Sequence, residues 1–144
     1  MASTDEVDSY LINSGLPYEQ IGDGTWVLRP ESAHAAQIGI KISDPIILFS
    51  IQMFELSHDI KERERLFQTL LELNSELLHA SYSLQGNQVV LSGAQQAENL
   101  DLNEFQAMVD DMCMALDNHY DRIAPLVAAD TASRAAAAGA EGSA

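Results

Sequence analysis

Only one cysteine, Cys113, occurs in 144 residues, so the chain cannot form a disulfide within itself. Lys and Arg number 7 against 22 Asp and Glu, a net charge of −15. A nucleic-acid ligand is therefore disfavoured, because phosphate binding needs a surplus of basic side chains. An anionic membrane surface is disfavoured for the same reason. Long apolar runs are also missing: the longest apolar-rich window, Ile46–Leu56, is far too short to span a bilayer. The opening "MASTDEVDSY" is acidic and lacks the apolar segment of a signal peptide, so the expected location is the reducing cytoplasm.

Catalytic and metal-binding patterns are scarce as well. "IGDGTW" has two glycines but neither a following helix nor a P-loop lysine. His34, His58, His79 and His119 are scattered singly, and no calcium-loop pattern occurs. In "DNHYD", Asp117 and Asp121 fall one helical turn apart, but the same spacing points His119 away from both. Cys113 lies between Met112 and Met114 with no histidine in a local motif, and reads as a small hydrophobe at a core edge. Ser81, Ser83 and Ser92 fall on the polar side of a hairpin. Trp26 reads as core or rim packing, with partner contact as the other option. These residues form no convergent constellation, so neither an enzyme nor a cofactor or metal site is expected.

What remains is a globular composition, 47 % hydrophobic and 20 % charged, in a length typical of one domain. The expected domain covers residues 1–127. "TASRAAAAGAEGSA" has too few large apolar residues to bury, so residues 128–144 read as a disordered tail. A first helix, "STDEVDSYLINSG", carries a capping box at Ser3 and Glu6 and stops at Gly15. Two strands follow around Gly-Asp-Gly, then the alternating "QIGIKIS", then "IILFSIQMFEL" after Asp44-Pro45. The last of these is apolar on both faces at its start, so it is either central in a sheet or covered twice. "SHDIKERERLFQTLLELNSELL" reads as the second helix, capped by Ser57 or Asp59. A hairpin turning at Gly86-Asn87 and a third helix from Leu102 to Val127 complete the chain. The order α-β-β-β-β-α-β-β-α predicts an α+β two-layer sandwich, an antiparallel sheet with flanking helices.

The third helix places Phe105, Met108, Val109, Met112, Leu116, Tyr120 and Ile123 on one stripe, with Asp110, Met114, Asp117 and Asp121 well away from it. On the second helix Leu66, Phe67, Leu70, Leu71, Leu73, Leu77 and Leu78 span roughly 160°, wider than one buried face needs. Such an arc means either packing between two layers or contact with a partner subunit, and a homodimer or partner contact is expected here. Phe54, Leu56, Leu66, Leu73 and Leu77 are the candidate contact residues, each also able to serve as core. Asn74, inside the arc, needs hydrogen-bond partners. It reads as a tie at the helix–strand junction, where backbone groups lose their helical partners.

"LLELN", the strand-turn-strand "ASYSLQGNQVVLSG" and the helix "LDLNEFQAMVDDMCMALDNHYDRI" together resemble the type III secretion chaperone-like superfamily of bacterial proteins. The N-terminal "VDSYLINSGLPYEQIGDGTWVLR" and "KISDPIILFSIQMFEL" look more like its YbjN-like branch than the CesT-type Tir chaperones. The resemblance covers about Val7 to Val127. It implies a cofactor-free, acidic, cytosolic unit that dimerises and binds an extended partner segment on apolar surface. The expected function is thus chaperone-like, non-enzymatic protein binding. The alternative is a YbjN-like regulatory or signalling adaptor for a folded partner.

Overall fold

The computed structural model describes residues 4–31, 34, 37–57 and 61–142, with side chains to residue 127. Helix α1 (Thr4–Ser14) leads into the hairpin β1 (Tyr18–Gly22) and β2 (Thr25–Leu28). Gly15 ends α1 at φ +70°, a left-handed conformation that glycine adopts without steric cost. Ser3, half of the expected capping box, lies outside the described residues. Strands β3 (Ile38–Ser43) and β4 (Ile46–Glu55) turn at Asp44-Pro45. Helix α2 (Arg63–Asn74) precedes the hairpin β5 (Ser81–Gln85) and β6 (Gln88–Gln96), and α3 runs from Leu102 to Gly142. Asp101 Oδ1 accepts from the Glu104 N–H at 2.8 Å and caps the start of α3. The helix passes through Pro125 and continues beyond Val127.

All six strands form one antiparallel sheet in the order β1-β2-β3-β4-β6-β5. The doubly apolar β4 is therefore central, not doubly covered: Ile47, Phe49 and Ile51 face the core, while Leu48 on the other face is 39 % exposed. Phe49 meets Phe105 of α3 at 5.4 Å between ring centroids. The expected α3 stripe packs as predicted, with Phe105, Met108, Val109, Met112, Leu116 and Ile123 buried and Tyr120 partly so. Trp26 is fully buried and its indole N–H donates to Asp8 of α1 at 2.8 Å, which settles it as core. The architecture is the α+β sandwich that the element order implies.

Helix α2 is shorter than its pattern. It starts at Arg63 after Glu62, which makes no side-chain cap, while Asp59 lies outside the described residues. At its end, Ser75, Glu76 and Leu77 bond back three residues rather than four, which tightens and closes the last turn. Asn74 sits at this break. Its Oδ1 accepts from the Tyr82 N–H at 2.6 Å and its Nδ2 donates to the Tyr82 carbonyl at 3.2 Å. One side-chain amide thus satisfies both backbone groups of a β5 residue on the side facing away from β6. The connector between Asn74 and Ser81 also depends on Gly93: a Cβ there would lie 2.6 Å from the His79 carbonyl oxygen. Replacing Asn74 with Ala strips both partners from the Tyr82 backbone and should cost about 1–3 kcal/mol in urea-unfolding stability. Unchanged stability would refute the tie.

Candidate protein-binding site

Among the expected contact residues, Leu56 (4 % exposed), Leu66 and Leu73 (both 0 %) lie inside the core. Phe54 is partly buried against the Tyr120 ring at 5.3 Å, and Leu77 is partly buried on the connector. The broad leucine arc divides instead of turning as a unit. Leu66, Leu70 and Leu73 point inward, Leu71 remains 70 % exposed, and Leu78 lies beyond the helix end. Projecting a helical period to Leu78 placed it on a face that the chain has already left. Phe67, between the two sides, is covered by the Arg63 guanidinium 4.9 Å from its ring centroid.

The connector and α3 enclose a groove of about 220 Å³. Leu77, Ala80 and Ala115 give it an apolar wall, and its rims carry Leu78 (92 % exposed) and Met114 (61 %). The sequence held the signal for Met114, which stands off the buried stripe of α3. Glu76, His79, Asp111, Asn118 and His119 supply the polar lining. His79 Nδ1 pairs with Asp111 Oδ2 across the groove, joining connector to α3. On the other side His119 is buried: its Nδ1 lies 2.9 Å from the Tyr82 hydroxyl and its Nε2 lies 3.3 Å from Glu76 Oε2. A neutral imidazole protonated on Nε2 satisfies both contacts, accepting from Tyr82 and donating to Glu76. Burial lowers the His119 pKa, while the Glu76 charge pulls the other way. Burial also raises the Tyr82 hydroxyl, keeping it a donor, and pushes the Cys113 thiol up to about 11, which leaves it unreactive.

The sheet face turned away from the core is also uncovered, with Ile21 and Leu48 as its large exposed apolar side chains. Its cross-strand row Val27–Gly39–Ser50–Ser92–Ser81 is built mostly of small residues. Gly39, Ser50 and Ser92 of this row line a trough of about 330 Å³ bordered by Ile21, Thr25 and Leu48. Charged residues on this face are Glu19 with its ion-pair partner Arg29 at 3.5 Å, Lys41 and, at the far end of β4, Glu55. The face is charge-poor on a chain that is otherwise strongly acidic.

The molecule is thus a two-layer body with one apolar groove beside α3 and one uncovered sheet face. The sequence profile of the CesT_Tir_1 family matches residues 1–129. The chain belongs to this type III secretion chaperone family. Among solved structures it resembles YbjN from E. coli with a TM-score of 0.61 and 17 % identity, over 82 % of this chain and 91 % of that one. It also resembles a chain of the heterodimeric complex ExoU-SpcU from the type III secretion system of Pseudomonas aeruginosa. There the TM-score is 0.60 at 18 % identity, over 84 % of this chain and 97 % of that one. No curated protein matches the sequence. At these identities the two structures establish the fold, which this family member shares with both. Among the described residues, no helix is long and apolar enough to cross a membrane.

The His119 pair gives the corner a pH dependence. An unfolded histidine takes a proton near pH 6.5. Folded His119 resists protonation, so acidification below that value favours the unfolded chain. Stability should therefore be full above about pH 6.5 and fall as the pH drops towards the folded value. In thermal unfolding across pH 7.5 to 5, a His119→Gln variant should lose less of its midpoint than the parent. Parallel curves for the two proteins would show that His119 does not titrate this way.

Proposed function

We propose that this CesT_Tir_1 family member is a non-enzymatic, chaperone-like module of the cytoplasm that binds a partner polypeptide through apolar helix and sheet surface. The observation that carries this reading is the pair Leu78 and Met114, both exposed and both lining the groove between the connector and α3, with Leu71 open on α2. Large apolar side chains left this open, in a chain that buries the rest of α2 efficiently, are characteristic of interaction surfaces. Family membership supports the same reading, and the complex ExoU-SpcU provides a precedent for this fold within a heterodimer. Partner side chains would bury against these residues, and the uncovered sheet face offers further apolar area.

The chain is also proposed to form a homodimer, with Leu71 at the contact. Phe54 and Leu77 retain enough exposure to contribute to a partner surface. Leu56, Leu66 and Leu73 would support such a surface from beneath, so a charge placed at Leu73 would unfold the chain before testing any interface.

Light scattering at high micromolar concentration should give a dimer, and Leu71→Asp should give a folded monomer. A monomeric parent would overturn the dimer. For the chaperone-like reading, a partner captured from native cells should contain a segment that resists protease only while bound. A partner that is fully folded before binding would favour the regulatory adaptor instead.

A further inference from the structure

The groove between the connector and α3 and the uncovered sheet face differ in charge, and the difference identifies an occupant for the groove. Met114 stands on α3 with Asp110 and Asp111 one turn before it and Asp117 and Asn118 one turn after it. Glu76 adds a carboxylate from the connector side. Around an apolar rim, this arrangement repels acidic partners on approach and attracts cationic ones. A second copy of this chain brings its own charge of −15 to the encounter, and repulsion opposes it at an acidic rim. The charge-poor sheet face lacks that restriction.

Resting on the protein-binding reading above, we propose that the groove of Leu77, Leu78, Met114 and Ala115 takes an apolar side chain of a partner polypeptide flanked by Lys or Arg. The volume fits this occupant: a cavity of about 150 Å³ holds a benzene, and the groove measures about 220 Å³. One aromatic or branched aliphatic side chain fills it. Leu78 and Met114 close over that side chain from opposite rims, the unbranched methionine adapting to its shape. The flanking cations meet Asp110 and Asp111, gaining rim attraction that steers the encounter and weakens with salt, while Asp117 is already paired with His34 at 3.2 Å. His79 and His119 are engaged with Asp111 and Glu76 in the free chain, so the groove keeps its form without the partner.

The test uses the full chain and two labelled synthetic peptides in fluorescence anisotropy. One has a Leu-Leu-Phe centre flanked on both sides by Lys-Arg pairs; the other has Glu in place of every Lys and Arg. The basic peptide should bind at least about tenfold more tightly than the acidic one, and more weakly at high salt. Met114→Glu and Leu78→Asp, both at exposed positions, should each weaken it by about tenfold or more while leaving thermal stability unchanged. Equal binding of both peptides, no binding of either, or binding indifferent to both substitutions would overturn the proposal. If Met114→Glu instead converts a dimer to a monomer, the groove is a self-contact and the proposal fails. Protease protection of a cellular partner separates the two levels. Protection by parent and Met114→Glu alike leaves protein binding standing without this groove, and its absence in both removes the function itself.

Discussion

The pairing of the Asn74 side chain with both backbone groups of Tyr82 is the constraint on which the rest of the molecule depends. It ends α2, starts β5 and fixes the angle between them in a single contact. Because the amide copies the donor–acceptor pair of a neighbouring strand, it also occupies the outer side of β5 at Tyr82, limiting strand addition there. Tyr82 then carries the constraint inward, where its hydroxyl meets His119 and, through it, Glu76. Three elements are joined by two short polar links inside an otherwise apolar corner. Without them the connector would have no fixed course, and the groove beside it no fixed shape.

The surface follows from this geometry. Once α2 stops at Asn74, Leu77 turns partly inward while Leu78 turns out, opposite Met114 on α3. The same stop leaves Leu71 outside, because its helical neighbours Leu70 and Leu73 already fill the available core. The apolar groove is thus produced by where the helix ends, and the acidic outer face of α3 gives it a preferred partner charge. The sheet supplies the contrasting surface, hollow where Gly39 and Ser50 hold the floor low.

Much of the fold could be read from the residues. Alternation in "QIGIKIS", glycine turns and the α3 stripe are local signals, and the elements they mark formed there, while α2 ended before its pattern and α3 ran beyond Val127. Asn74 was legible too, since a lone amide in an apolar run must find partners. The residues proposed for partner contact were less legible. Leu66 and Leu73 lie in the same run as Leu71, and periodicity cannot show which side of a wide arc the core takes. Leu78 depended on knowing that the helix had already ended, which was decided by a contact eight residues away. His119 carried no signal at all, because its partners Glu76 and Tyr82 come from distant parts of the chain.

The Trp26–Asp8 contact has a practical consequence. The protein has a single tryptophan, and its indole is sealed between β2 and α1. Its emission therefore reports one event, the seating of α1 on the sheet, far along the sheet from the Asn74 corner. Any process that opens the α2–β5 region alone should leave that light unchanged. The molecule carries a built-in lamp at one end that can tell local opening from global collapse.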